Sequence, residues 1–170
     1  MNTAELTEEL QRWRSKGALG VFSSDQLPPK IRPGEGLVVN TAPSGTHGQH
    51  WLALFRAPDA LEVFDTYGQP LDTYPLVKQH LLSSSSSGEK IRRNIGQLQP
   101  DESDSCGLYC LLFLILRFSG GATMAEIITR IFGSDLELND CVALYWLTSQ
   151  LGAAPANLKN VLSTQKCNKQ

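Results

Sequence analysis

The residues best able to do chemistry gather around Cys106. The stretch Gln99-Pro-Asp-Glu-Ser-Asp-Ser-Cys106-Gly107 is a polar, acidic loop ending in Cys-Gly. Gly107 to Phe118 (GLYCLLFLILRF) follows, with only Tyr109 and Arg117 polar. A cysteine at such a boundary sits in the first turn of a buried helix, where backbone N–H groups and the positive end of the helix dipole favour thiolate over thiol. A thiolate in a polar loop is a nucleophile. Acyl transfer also needs a base or cation beside the sulfur, a group that orients the imidazole, and donors for the oxyanion. A candidate exists for each part. His50, after the Gly-rich loop SGTHGQ, is the partner, and Asp65 holds its ring and tautomer. The Gln99 side-chain amide, seven residues before the cysteine, and the Cys106 backbone N–H are the oxyanion donors.

Each candidate also has a plainer reading. Free cysteines are most often small buried hydrophobes. Flanking Ser, Asp and Gly argue for exposure of Cys106, whereas Cys110, one helical turn inside the apolar run, reads as core. Cys141 reads as core or helix surface, and Cys167 as an exposed tail residue. His47 competes with His50 for the role of base, and His80, on a helix, is a weaker rival. Asp65 alone would be a turn residue ending a strand. Asp101, Glu102 and Asp104 read as a solvated acidic loop, and Trp51 as core or as a platform against the imidazole.

Composition narrows the class. With 170 residues, 41% hydrophobic and 19% charged, the chain fits one globular domain with a sizeable core. A net charge of -2 gives no support for nucleic-acid binding. The four cysteines show no metal-type spacing and no CxxC pair, so no metal site is expected. The charged, amphipathic start MNTAELTEELQRWRSKG is not a signal peptide, and the apolar run Cys110 to Leu116 is too short to span a bilayer. The expectation is an intracellular protein that is not secreted and has no membrane partner.

The elements that must position these residues follow from periodicity and punctuation. A helix is expected over 3–16, with Thr3 as N-cap, Leu6, Leu10 and Trp13 at helical spacing and Gly17 as a stop. Residues 19–36 read as an irregular connection and 37–40 as a short strand. His50 to Arg56 and Leu61 to Tyr67 form a hairpin around Ala57-Pro-Asp-Ala60. With Pro58 and Asp59 as the loop, Ala57 opposes Ala60, Leu54 opposes Val63 and Leu52 opposes Asp65, which makes His50 a diagonal neighbour of Asp65 on one face. A helix is expected over 71–82, a flexible serine loop over 83–87 and an edge strand over 90–98. Helices over 107–118, 123–132 and from Asn139, as N-cap, to Leu151 complete the chain. Residues 1–152 make a single domain, and 153–170 a peripheral or disordered tail.

Taken together, these pieces resemble the adenain-like, adenovirus-type cysteine proteases. The order His50, Asp65, Gln99, Cys106 matches that family, as does the seven-residue step from Gln99 to Cys106; the related SUMO-type proteases use a six-residue step. Leu19-Gly-Val-Phe22 is similar to the family's N-terminal Leu-Gly-aromatic segment. Val39-Asn-Thr-Ala42 before the Gly-rich loop, Val63-Phe-Asp-Thr-Tyr-Gly68, Cys106-Gly-Leu-Tyr-Cys110 and Leu144-Tyr-Trp-Leu147 are similar to its later motifs. The resemblance covers about residues 5–152.

The resemblance implies an α+β fold, a mixed central β-sheet packed by helices with the nucleophile cysteine at the N-terminus of a buried central helix. It implies a thiol endopeptidase cleaving after small residues, in hydrophobe-x-Gly-Gly or hydrophobe-x-Gly-x, and processing viral structural precursors during virion maturation, in the host nucleus and virion. Gly48, Trp51 and Gly107 are expected to line the substrate groove. Ubiquitin or ubiquitin-like conjugates are an alternative substrate class, and a catalytically silent binding or scaffold module is the alternative from another class. No cofactor is required by the sequence. Family members take an activating viral peptide, often through a disulfide, but the stretch from Gly88 to Arg93 has no cysteine, which speaks against that linkage. The negative net charge speaks against DNA as an activator.

Overall fold

A computed structural model describes residues 1–84 and 90–151. The expected tail at 153–170, and positions 85–87 of the serine run, lie outside the described residues. Strands β1 (Ala18–Ser23), β2 (Gly36–Asn40), β3 (Trp51–Arg56), β4 (Ala60–Phe64) and β5 (Lys90–Arg93) form one sheet in that spatial order. β1/β2 and β4/β5 pair parallel, while β2/β3 and β3/β4 pair antiparallel. Helices α1 (Thr3–Gln11), α2 (Pro75–Ser84), α3 (Cys106–Gly120), α4 (Met124–Ile131) and α5 (Leu136–Leu151) pack around it. The mixed sheet with flanking helices is the expected α+β class.

The two-residue period of the strands divides the core. Val38, Ala53, Phe55 and Phe64 face the side that holds α1, α3 and α5. Leu37, Val39, Leu52, Leu54, Leu61 and Val63 face the other side, against Tyr74, Val77 and Leu81. α3 is apolar around its circumference and therefore needs cover on every face. It is buried from Gly107 through Ile115, with Phe113 stacked on Phe64 at 4.6 Å between ring centroids. Its buried polar residue Arg117 faces Glu62 at 3.0 Å and lies 4.3 Å over the Phe55 ring. No single described helix is long and apolar enough to cross a membrane.

The hairpin register is the one expected: Leu54 opposes Val63, and Ala57 N donates to Ala60 O at 2.9 Å across the Pro58-Asp59 turn. Several boundaries differ. Residues 19–23, expected within an irregular connection, belong to β1; a register shift beside Gly20, at φ +123°, and its half-exposed edge position blur the alternation a strand would show. α1 is capped by Asn2, not Thr3, through a reciprocal pair with Glu5 at 3.0 Å each way, and ends at Gln11. Leu71–Thr73 is a separate 3-10 turn, because Tyr74 precedes Pro75 and is pushed out of the α region. β5 ends at Arg93, since the chain turns away at Gly96 with φ +95°. α5 begins at Leu136, with Asp135 Oδ1 accepting from Leu138 N at 3.0 Å. Asn139 is no cap but a buried residue donating to Leu98 O at 3.0 Å.

Candidate active site

Three elements bring the reactive side chains together. β3 starts one residue after His50, β4 ends one residue before Asp65, and α3 begins at Cys106. Because His50 and Asp65 extend adjacent antiparallel strands on one face, their side chains meet: His50 Nε2 lies 2.7 Å from Asp65 Oδ1. That leaves Nδ1 as the ring nitrogen available to Cys106. The ring is buried, while Cys106 is half-buried, and both line a groove of about 790 Å³. Cys106 N–H is among the first amides of α3, which have no partner within the helix.

Electrostatics and burial oppose each other at His50. Burial disfavours the charged ring, but the hydrogen bond to Asp65, the hydrogen bond to Cys106 and the charges of both outweigh it and hold His50 up at about 9. Burial likewise works against the Asp65 carboxylate, yet donors from His50, Tyr67 N and Gln69 N hold it below its usual value. Asp65 Oδ1 accepts from His50 and from Tyr67 N at 2.9 Å; Oδ2 accepts from Gln69 N and Tyr74 Oη, each at 2.9 Å. Tyr67 covers the imidazole at 4.7 Å between centroids.

Gln99 is fully buried. Its Oε1 accepts from Thr66 Oγ1 at 2.8 Å, and its Nε2 donates to the Ser103 carbonyl and to Tyr67 Oη at 3.5 Å. Gly48 and Trp51 line the groove, together with Asn40, Asp101 and Asp104. Gly107 is buried beside it, where an added Cβ would lie 3.3 Å from Trp51 Cδ1, Leu6 Cδ1 and Met1 Cβ. A Cβ on Gly48 would meet Asn40 Nδ2 at 2.5 Å, so any larger residue there must displace the Asn40 amide.

The rival candidates separate. His47 is exposed in the loop before β3 and His80 lies on α2, so of the three histidines His50 is the one placed against Asp65. Cys110 is fully buried, donates to Trp51 O at 3.3 Å, and burial pushes its thiol well up. Tyr67, Tyr74 and Asn94 were not anticipated. Tyr67 sits two residues after Asp65, and strand alternation carried past β4 would have flagged it. Tyr74 and Asn94 arrive from other segments and carry no local signal.

The family model described as adenovirus endoprotease matches residues 19–136. The chain belongs to that family. Among family members, the protease of Bovine adenovirus 7 is 33% identical over 88 residues, covering 45% of this chain and 44% of that protein. The protease of Ovine adenovirus D serotype 7 is 29% identical over 113 residues, covering 59% and 56%. The chain thus spans about half the length of the curated relatives it matches. Among solved structures, the pS273R protease of ASFV superposes with TM-score 0.49 at 20% identity, covering 84% of this chain and 65% of that one. The central domain of Lpg1148 from Legionella pneumophila gives 0.48 at 15% identity, covering 89% and 96%. Both scores lie below 0.5, too low to carry a functional argument.

Proposed function

We propose that this adenovirus endoprotease family member is a thiol endopeptidase, with Cys106 as nucleophile, His50 as its acid–base partner and Asp65 as the group that orients the ring. The observation that carries this reading is the contact of His50 Nε2 with Asp65 Oδ1, with Cys106 beside the same ring in an open groove. In the proposed reaction the Cys106 sulfur attacks the scissile carbonyl carbon. The Cys106 N–H receives the oxyanion, joined by Gln99 Nε2 once it leaves the Ser103 carbonyl. The His50 proton passes to the leaving amine as the C–N bond breaks, giving a thioester. Water then adds, losing its proton to His50, and the Cys106 sulfur departs.

Selectivity for glycine before the cut is inferred from the family, and Gly48 and Trp51 line the groove that would receive those residues. We infer substrates of the form hydrophobe-x-Gly-Gly or hydrophobe-x-Gly-x in viral precursor proteins, processed during virion maturation inside the infected cell, because the matched relatives are adenovirus proteases. Labelling by iodoacetamide with peptide mapping tests the nucleophile. Cys106 is expected to label rapidly at pH 7 and slowly in His50→Ala. An inert Cys106 in the folded wild type would favour a silent binding module instead. Turnover of a folded ubiquitin conjugate faster than of a Gly-Gly peptide would move the substrate assignment to ubiquitin-like proteins.

A further inference from the structure

Strand β5 ends at Arg93, and the next residue, Asn94, turns its side chain across Asp65. Asn94 Nδ2 donates to Asp65 O at 2.6 Å, and Asn94 Oδ1 accepts from Asp65 N at 2.8 Å; both residues are buried. One side chain therefore takes both backbone groups of the residue that holds His50. The β4/β5 ladder runs only to the Val63–Arg93 pair, so Asp65 lies beyond regular pairing. The Asn94 amide supplies the donor and the acceptor that a continuing strand would have supplied.

This frees the main chain to leave the sheet. Ile95 is 82% exposed, Gly96 adopts φ +95°, and the chain returns so that Leu98 N donates to Thr66 O at 2.7 Å. Without Asn94 the same path would strand a buried N–H at Asp65, while its C=O would keep only the bond it accepts from Gly68 N at 3.0 Å. A carboxylate lacks the donor and an aliphatic side chain lacks both groups.

We propose that Asn94 is a positioning residue for the hydrolysis, its paired bonds to the Asp65 backbone fixing the carboxylate that orients His50. This rests on the reading of Cys106, His50 and Asp65 as the reacting set. Asn94 touches neither Cys106 nor the groove; it acts through Asp65, whose carboxylate in turn meets His50, Tyr67, Gln69 and Tyr74.

The test compares Asn94→Ala and Asn94→Ser with Ile91→Ala, a change on β5 that removes packing against the Leu61 and Val77 side of the sheet and no bond to Asp65. Two readouts are taken: kcat and KM on a Gly-Gly peptide, and the titration of the His50 ring by NMR. Asn94→Ala is expected to lower kcat about tenfold or more with KM within about twofold, since a displaced orienting group costs turnover rather than binding. His50 should titrate at a lower pH than in wild type, because its contact with Asp65 loosens. Asn94→Ser, which keeps a hydroxyl for one of the two bonds, should move both readouts in the same direction by less. Ile91→Ala should lower Tm and move neither. Asn94 variants that melt early yet keep wild-type kcat and His50 titration would overturn the proposal and leave Asn94 a staple of the fold. If wild type shows no Cys106-dependent turnover, the protease reading fails by itself, and the His50 titration still decides whether Asn94 positions the pair.

Discussion

At the residue scale, four donors converge on the Asp65 carboxylate and fix its plane, and the imidazole follows from that plane. The two groups respond to pH in opposite senses. His50, held up at about 9 against an ordinary 6.5, favours the folded state when protonated. Its contribution is complete below pH 6.5 and is lost as pH rises through 9. Asp65, held below its ordinary 3.8, contributes above that value and loses its contribution as pH falls through its lowered pKa. The thermal midpoint of wild type should therefore fall between pH 6.5 and 9 more steeply than that of His50→Gln; parallel slopes over that range would contradict the charged ring. The meeting of His50 with Asp65 was legible in the sequence because a two-residue turn fixes hairpin register locally. The residues that hold the pair were not. Asn94 lies 29 positions from Asp65 and Tyr74 lies beyond the turn at Leu71–Thr73, so their contacts exist only after the sheet and α2 have assembled. Gln99 shows the same limit: its spacing from Cys106 is readable, but its engagement with Thr66 and the Ser103 carbonyl depends on a loop path that spacing does not encode.

At the element scale, α3 places Cys106 because its remaining length has nowhere to go but the core. A helix apolar on all faces must be buried, and that made its identity and near boundaries readable from GLYCLLFLILRF. β1 was hidden for the converse reason, as an edge strand with a bulge beside Gly20 and little burial to impose alternation. The buried pair Arg117–Glu62 ties the last turn of α3 to β4, with side chains 6% and 3% exposed. Burial raises the Glu62 pKa and lowers that of Arg117, so each depends on the other to remain charged. Glu62→Ala or Arg117→Ala alone should cost about 3–5 kcal/mol in urea unfolding, by stranding the partner's charge. The double change Glu62→Leu with Arg117→Met should recover most of that loss. Additive costs in the double variant would show that the two do not act as a pair.

At the scale of the whole molecule, the sheet separates two cores, and the groove opens where the ends of β1, β2 and β3 meet the start of α3. Cys106 opens a buried helix, His50 and Asp65 flank the strands of one hairpin, and Gln99 lies buried on the segment between β5 and α3. The α+β class and the family were readable from the ordered set of motifs, most of which mark strand and helix ends near the groove. The most direct test of the account is the rate of cleavage of a hydrophobe-x-Gly-Gly peptide by wild type and by Cys106→Ala, with folding of both checked by circular dichroism. Wild type is expected to cleave after the second glycine and the folded alanine variant not at all; equal cleavage by the two would contradict Cys106 as the nucleophile.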